Sequence, residues 1–318
     1  MPHLHGSLRL LFLIGISVLL LSLAEACSSS PSAPTGGGGT GTGTGGGTTP
    51  PTGQTAVVVG AGDIGMCGAD GSTPLPSVAA TARLVAGLQG QVILAGDIAY
   101  LHGSAANFRD CFNPSWGQFR NRWRPVPGNH EYETPGAAPY FAYFGQDAGP
   151  DGTGYYAFMA GDWLVLMLNS NIPAGRGSAQ FEFARLQLEA QRTPCTLAVW
   201  HHPLFTSGPN GPNVFMRDMW SLLETANAEV VLTGHDHLYE RFARQTAAGV
   251  ADPAKGVREF VAGTGGAELY SFVRTSANSE LRIAQHGVVR FTLKPAQFEW
   301  EFLTTNGAVV DSGLDTCH

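Results

Sequence analysis

Two stretches of the chain decide its fold: residues 56–65 read AVVVGAGDIG and residues 91–100 read QVILAGDIAY. Each begins with a short run of apolar residues, which predicts a buried strand at residues 56–59 and another at 91–95. Residues 77–88, between them, follow a helical pattern. A strand, a helix and a second strand in this order predict a parallel pair of strands covered by helices, so the predicted fold class is α/β.

The alternation of strands and helices continues along the chain. Residues 155–159 and 162–168 predict a hairpin that turns between them. The further predicted helices span residues 181–191 and 214–226, and the further predicted strands span residues 196–200, 229–232, 239–244, 259–262, 287–293, 297–303 and 308–311. Neither an internal repeat nor a second linker interrupts this pattern, so residues 55–318 predict one domain.

Five short polar motifs stand at or just beyond the ends of predicted strands. They are Gly62-Asp63-Ile64-Gly65, Gly96-Asp97-Ile98-Ala99-Tyr100, Gly128-Asn129-His130-Glu131, Val199-Trp200-His201-His202 and Gly234-His235-Asp236-His237. Each motif alone is a weak signal, because a Gly-Asp pair after a strand is more often a turn. In open α/β sheets, however, functional groups gather beyond the carboxyl ends of the strands. The five motifs in this order therefore predict one shared site.

The composition is that of an acidic globular protein. The chain has 318 residues, of which 43% are hydrophobic and 14% charged, and its formal net charge is -7. Its only lysines are Lys255 and Lys294, and no basic run occurs. These features argue against a nucleic-acid-binding surface. They do not indicate an oligomeric state.

The N-terminal segment predicts an export signal followed by a tether. Residues 1–26 combine Arg9, a short apolar run and a small-x-small cleavage signal, as in a signal peptide. The apolar run is shorter than the about 20 residues that span a bilayer, which disfavours the alternative of a transmembrane anchor. Residues 27–54 are rich in Gly, Thr, Pro and Ser, which predicts a flexible linker.

Cys27 directly follows the predicted cleavage site and resembles a bacterial lipoprotein start, although Glu25 departs from that pattern. Lipidation of Cys27 would attach the chain to a membrane, and plain secretion after Ala26 is the alternative. Both alternatives predict an exported bacterial protein that is secreted, periplasmic or anchored to the cell envelope by lipid.

Four further cysteines lie in the predicted domain. An even number in an exported chain predicts two disulfides, for which three connectivities exist. We favour Cys195 with Cys317, which would fasten the end of the chain to a central strand, and this leaves Cys67 with Cys111. A zinc-thiolate site is the competing interpretation, and it is weak because no Cys-x-x-Cys spacing occurs.

Taken together, the five motifs resemble the calcineurin-like metallophosphoesterases and, within them, the purple acid phosphatase type. The resemblance covers about residues 56–318. It implies a four-layer α-β-β-α sandwich with a dinuclear metal site at the carboxyl ends of the strands. Stretches such as residues 116–119, 168–171 and 260–266 look like a secreted bacterial branch of this family.

The resemblance also implies seven metal ligands. Many relatives carry a histidine where this chain has Gly65, and the second motif instead supplies Tyr100, as in the purple type. The first site is expected to contain Asp63, Asp97, Tyr100 and His237, whose three anionic oxygens suit Fe(III). The second site is expected to contain Asp97, Asn129, His202 and His235, a nitrogen-rich set that suits Zn(II), Mn(II) or Fe(II).

Two such cations would clamp phosphate oxygens and activate a water for in-line attack on phosphorus. His130 is the candidate catalytic residue, which would contact the phosphate and assist protonation of the leaving group. A structural hydrogen bond to a neighbouring ligand is its alternative role. We expect His201 to face away from His202 along the strand and to pack in the core or against a metal ligand, rather than to bind a metal itself. Glu131 and Asp236 are expected to orient the ligating imidazoles.

The leading functional prediction is an exported dinuclear-metal phosphoesterase that hydrolyses small phosphate monoesters. A phosphodiesterase on the same site is a close alternative, and a non-catalytic phosphate- or metal-binding surface protein is an alternative of another class. Eukaryotic purple enzymes carry further phosphate-binding histidines some nine or ten positions beyond the fourth-motif histidine, but residues 208–213 contain none. Asn210 and Asn213 are the candidates for substrate contacts in that loop.

Overall fold

Two β-sheets form the centre of the computed structural model, which describes residues 53–190 and 195–318. The predicted signal peptide and nearly all of the predicted linker, including Cys27, lie outside the described residues. Within the described ranges, no helix combines the length and the hydrophobicity that crossing a bilayer requires.

The first sheet has six strands. They are β1 (Ala56–Ala61), β2 (Gln91–Ala95), β3 (Trp123–Val126), β11 (Gly287–Lys294), β12 (Gln297–Thr304) and β13 (Val309–Thr316). Their spatial order is β13-β12-β11-β1-β2-β3. Strands β1, β2 and β3 are parallel to one another, whereas β11 pairs with β1 in the antiparallel direction. The predicted parallel pair is therefore confirmed.

The second sheet has seven strands. They are β4 (Tyr156–Ala160), β5 (Trp163–Met167), β6 (Cys195–Val199), β7 (Val230–Thr233), β8 (Tyr239–Phe242), β9 (Arg258–Ala262) and β10 (Ser279–Ile283). Their spatial order is β10-β8-β9-β7-β6-β5-β4. The predicted hairpin is confirmed as β4 and β5. Strand β10 was not predicted, because it is a half-exposed edge strand without an apolar run.

The helices are short. They are α1 (Pro76–Ala86), α2 (Ala105–Asn107), α3 (Asn129–Tyr132), α4 (Ala138–Phe144), α5 (Ala179–Ala190) and α6 (Arg217–Thr225). A π-helical turn spans Phe108–Phe112, and 3-10 turns span Trp116–Phe119, Pro135–Ala137, Gly145–Ala148, Pro150–Gly152 and Val214–Met216. The helix predicted at residues 214–226 is thus divided into a 3-10 turn and α6.

The core is arranged in layers because neighbouring strand residues point to opposite faces of a sheet. Val58 of β1 and Val230 of β7 belong to one buried cluster between the two sheets. Val59, the neighbour of Val58, packs in a second cluster with α1 and α4. Val231, the neighbour of Val230, packs in a third cluster with α5 and α6. This arrangement confirms the expected four layers, α-β-β-α.

Both favoured disulfides are present in the structure. Cys67 pairs with Cys111, and Cys195 pairs with Cys317, with Cα–Cα distances of 5.1 Å and 5.6 Å. The second bond joins the start of β6 to the segment after β13. The zinc-thiolate interpretation is therefore wrong for these four cysteines.

Candidate metal centre

The predicted ligands from the strand-end motifs lie in the segments that follow strands of both sheets. Asp63 follows β1, Asp97 and Tyr100 follow β2, Asn129 follows β3, His202 follows β6, and His235 and His237 follow β7. The two sheets meet at this edge: the backbone N–H of His235 donates a hydrogen bond of 2.8 Å to Oδ2 of Asp63. One carboxylate of the first sheet is thus tied directly to a ligand motif of the second.

The hydroxyl of Tyr100 is the point at which the residues of the predicted first site meet. It lies 2.8 Å from Oδ1 of Asp63, 3.0 Å from Oδ2 of Asp97 and 3.0 Å from Nε2 of His237. Nε2 of His237 is itself 3.2 Å from Oδ1 of Asp63. All four side chains are buried. A phenol, two carboxylates and an imidazole therefore surround one small volume, as the predicted first site requires.

The residues of the predicted second site also come from segments after strands of both sheets. The rings of His202 and His235 have centroids 4.5 Å apart. The backbone N–H of His130, the residue after Asn129, donates to Oδ1 of Asp97 at 2.9 Å. The side-chain Oδ1 of Asn129 is buried without a hydrogen-bond partner in the described structure.

The structure corrects the expectation for His201. Its side chain does not point away from His202: the two ring centroids are 5.0 Å apart, and the centroid of His235 is 5.1 Å from that of His201. Nε2 of His201 lies 3.1 Å from Oδ2 of Asp97. Strand β6 ends at Val199, so the two-residue alternation of an extended strand no longer applies at positions 201 and 202.

Two glycines allow this close packing. A Cβ atom on Gly128 would lie 2.1 Å from Oδ1 of Asp97, and one on Gly96 would lie 2.4 Å from Nδ1 of His201. Gly96 also has a φ of 83°, in the left-handed region that glycine adopts readily. The glycines of the motifs are therefore required by the close approach of the backbone to the cluster.

The backbone is strained at three non-glycine residues of the cluster. Asp63, Asp97 and His235 have φ values of 60°, 49° and 71°. A non-glycine residue in this region costs of order 1–3 kcal/mol, and such residues concentrate at functional sites. The fold therefore holds these three residues in place at an energetic cost.

Burial favours the neutral, metal-binding form of two imidazoles of the cluster. Burial, together with the neighbouring His201, lowers the pKa of His202 to about 2 and the pKa of His235 to about 4. Both rings are thus neutral at pH 7, the form that binds metals. The pKa of His201 and of His237 is raised instead, because the charges of Asp97 and Asp63 outweigh the effect of burial. Burial, with the carboxylates of Asp63 and Asp97, raises the pKa of Tyr100. A bound cation would act in the opposite direction, because positive charge favours the phenolate.

His130 lies at the edge of the cluster. Its ring centroid is 4.5 Å from that of Tyr100, and its Nε2 is 3.8 Å from Oδ2 of Asp97. Its Nδ1 hydrogen-bonds to the carbonyl of Leu101 and lies 3.2 Å from Oε1 of Glu133. The ring thus hydrogen-bonds to a backbone carbonyl, and the hydrogen bond of His130 to a predicted ligand, Asp97, comes from its backbone N–H.

Glu131 and Asp236 do not orient imidazoles in the described structure. Glu131 accepts hydrogen bonds from the backbone N–H groups of Ile98, Ala99 and Gly128, and so ties two ligand loops together. Asp236 accepts from the hydroxyl of Thr206 and the N–H of Asn210.

Groups other than Glu131 and Asp236 hydrogen-bond to the imidazoles of the cluster. Nδ1 of His201 contacts the carbonyl of Ala95, Nδ1 of His202 contacts the hydroxyl of Ser170, and Nδ1 of His237 contacts the carbonyl of Glu268. Each contact leaves Nε2 as the nitrogen available to a metal. Sequence motifs do not reveal these partners, since two of the three are backbone carbonyls.

The donor set fits metal ions. His201, His202 and His235 form one group of side chains whose ligand atoms lie within 4.8 Å of one another, and Asp63, Asp97 and His201 form another. Oδ1 of Asn129 and Nε2 of His201 are buried and have no hydrogen-bond partner in the described structure. Buried polar atoms are rarely left in this state, so both atoms are suited to binding a cation.

Comparisons with known proteins agree with this geometry. The profile of the calcineurin-like phosphoesterases matches residues 57–239, which is more than half of the chain. The chain therefore belongs to the calcineurin-like phosphoesterase family.

Similar proteins of this family include purple acid phosphatases of plants. The chain is 27% identical over 190 residues to purple acid phosphatase 15 of Arabidopsis thaliana, covering 48% of this chain and 36% of that protein. It is 29% identical over 178 residues to probable purple acid phosphatase 20 of the same plant, covering 48% and 40%. The matches thus span less than half of these relatives.

A solved structure shows the same fold. Purple acid phosphatase PPD1 from yellow lupin (Lupinus luteus) seeds superimposes with a TM-score of 0.71 at 20% identity, covering 83% of this chain and 54% of that chain.

Proposed function

We propose that this chain is an exported phosphoric ester hydrolase that acts on small phosphate monoesters at a dinuclear metal centre. The observation that carries the proposal is the meeting of Asp63, Asp97 and His237 at the hydroxyl of Tyr100, within 3.0 Å in each case. Three oxygen donors and one nitrogen donor form the kind of site that holds a hard cation.

The proposed first site takes Fe(III) through Asp63, Asp97, Tyr100 and His237. The proposed second site takes Zn(II), Mn(II) or Fe(II) through Asp97, Asn129, His202 and His235. We add His201 to the candidates for the second site, because its Nε2 lies 3.1 Å from the shared carboxylate of Asp97. When bound, such a pair of cations neutralises phosphate oxygens and makes a water more acidic.

The protein groups around the pair have distinct proposed tasks. Asp97, which accepts a hydrogen bond from the backbone N–H of His130, is the proposed ligand shared by both sites. His130 itself contacts the phosphate and assists protonation of the leaving oxygen, because its Nε2 lies at the edge of the cluster. Glu131 keeps the loops of Asp97 and Asn129 in register through its three backbone hydrogen bonds.

Export is supported by the two disulfides, since such bonds persist in oxidising compartments. We propose that the signal peptide at residues 1–26 directs export. Lipid attachment at Cys27 is the variant of this proposal in which the exported chain stays attached to a membrane. The net charge of -7 favours small substrates over nucleic acid.

The decisive experiment combines elemental analysis of the purified chain with kinetics on matched phosphate monoesters and diesters. We expect about two metal ions per chain, including iron, and faster turnover of monoesters. Asp97→Ala should lose both metal and turnover, whereas His286→Gln, outside the cluster, should keep both. A metal-free active enzyme would refute the proposed centre, and faster diester turnover would favour a phosphodiesterase. Stoichiometric metal without turnover of either class would favour a non-catalytic binding protein.

A further inference from the structure

A cavity of about 520 Å³ opens beside the histidines of the candidate metal centre. His202 forms part of its wall and also belongs to the group with His201 and His235. Ser170, whose hydroxyl lies 2.7 Å from Nδ1 of His202, lines the cavity too. The cavity therefore adjoins the candidate metal centre at His202.

Two chain segments supply the rest of the wall: residues 171–175 after β5, and Asn213 with Phe215 before α6. None of the lining residues in the described chain is Lys, Arg, Asp or Glu. Arg176 and Asp218, close to this wall in the sequence, are paired with each other. The cavity wall thus offers no charged side chain for recognising a second phosphate or an ammonium group.

Several polar atoms of the wall are already engaged by the protein. Oδ1 of Asn213 accepts from the N–H of Phe215 at 3.1 Å. Nδ2 of Asn171 donates to the carbonyl of Pro127 at 3.0 Å, and the hydroxyl of Ser170 bonds to His202. Much of the remaining contact surface is apolar, from Ile172, Pro173, Ala174 and Phe215.

Phe215 is an exposed aromatic residue of this wall, with 75% of its surface accessible to solvent. It lies in the 3-10 turn Val214–Met216, which the side chain of Asn213 caps. The next residue, Met216, is fully buried and anchors the turn. The fold therefore holds an aromatic ring in water at the wall of a cavity, where a bound planar group would gain contact area by covering it.

We propose that this cavity binds the leaving group of the ester, and that it selects uncharged organic groups with an aromatic or other planar apolar surface that packs on Phe215. The inference rests on the proposed function, because it assumes that the phosphate occupies the adjacent metal centre. It specifies a substrate class: phosphate esters of aromatic or similarly apolar alcohols.

The test compares kcat/KM for 1-naphthyl phosphate with kcat/KM for methyl phosphate. In Phe215→Ala the naphthyl-to-methyl ratio should fall about tenfold, the size typical of losing one apolar pocket contact. Phe215→Tyr should largely keep the ratio. Leu314→Ala, which truncates another exposed apolar side chain on β13, should leave it unchanged. An unchanged ratio in Phe215→Ala, or an equal loss for both esters, would overturn the assignment.

A binding measurement separates this inference from the proposed function. 1-Naphthol lacks the phosphate, and its binding to the full chain can be followed by calorimetry. Binding that weakens in Phe215→Ala supports the cavity assignment even if no ester is hydrolysed, an outcome that would reject only the proposed function. Ester hydrolysis without naphthol binding and without a change in the ratio would reject only the cavity assignment.

Discussion

Nε2 of His201 lies 3.1 Å from Oδ2 of Asp97 and has no hydrogen-bond partner in the described structure. The other ring nitrogen of His201 contacts the carbonyl of Ala95 at 2.9 Å, which fixes the orientation of the ring. An imidazole held in this way beside a carboxylate shared by two proposed sites is well placed to bind a cation.

Replacing His201 by alanine should therefore lower the metal content below two ions per chain. The loss of one ligand and of its fixed geometry weakens the second site, and turnover of an aryl phosphate should fall with it. Elemental analysis of the purified variant measures the effect. His286→Gln should bind metal normally, because the side chain of His286 hydrogen-bonds to the carbonyl of Ala267 and not to a proposed ligand side chain. A full metal complement in His201→Ala would remove this residue from the ligand set.

Tyr100→Phe should abolish any visible charge-transfer absorption of the iron-loaded protein. The substitution removes the hydroxyl that meets Asp63, Asp97 and His237, while it keeps the ring in its buried position. Absorption spectroscopy of the metal-loaded protein provides the measurement. Tyr140→Phe is a matched control, since that hydroxyl is also buried but has no hydrogen-bond partner in the described chain. Retention of the colour in Tyr100→Phe would exclude a tyrosinate ligand at this position.

Asp311→Asn should destabilise the fold in a pH-dependent way. Oδ2 of Asp311 accepts from the hydroxyl of Tyr239 at 2.7 Å and from Nε of Arg241 at 2.8 Å. Burial opposes its ionisation, but these hydrogen bonds and the charge of Arg241 prevail and lower its pKa below 3.8. Since the folded pKa is lowered, the stabilisation is present above the unfolded pKa and disappears as the pH falls through the folded pKa.

At pH 7 the free energy of unfolding of Asp311→Asn should be lower than that of the wild type by about 1 to 2 kcal/mol, as expected for hydrogen bonds to a charged group. Urea unfolding at several pH values should show this difference shrinking below about pH 4. Asp110→Asn is the control, because Asp110 pairs with Arg109 at the surface. It should shift the midpoint of urea unfolding little. A difference that stays constant down to pH 2 would contradict the electrostatic origin.

Removing either disulfide should lower the free energy of unfolding, and removing the Cys195–Cys317 bond should lower it more. The residues it joins are 122 positions apart, against 44 for Cys67–Cys111. Loop-closure entropy predicts losses of about 5 and about 4 kcal/mol for the paired Cys→Ala variants. Denaturant unfolding of both double variants tests this order. The reverse order would show that strain or residual structure outweighs loop length.

Much of the fold could be predicted from local patterns. The apolar runs of β1 and β2 with the helical stretch between them indicated the parallel pair, and the five polar motifs after strand ends indicated where the cluster lies. The pairing of Cys195 with Cys317 was also predictable. Strand β10 was not, because an edge strand that is half exposed does not need an apolar run.

The site was predictable in its residue types and only partly in its geometry. Asp63, Asp97, Tyr100 and His237 were expected together and lie together. The direction of the His201 side chain was predicted wrongly. The prediction assumed that side chains keep alternating between the two faces of the strand, but β6 ends at Val199.

The sequence by itself determined most of the strands and helices, the net negative charge and the set of candidate donor groups, because these follow from local hydrophobic periodicity and from residue chemistry. Only the tertiary structure decided that both His201 and His202 lie in the cluster and that Phe215 stands at a cavity beside it. The reason is physical: these relationships join segments far apart in the chain, here residues 170–175, β6 and the turn before α6. Their distances are set by the packing of two sheets and their outer helices.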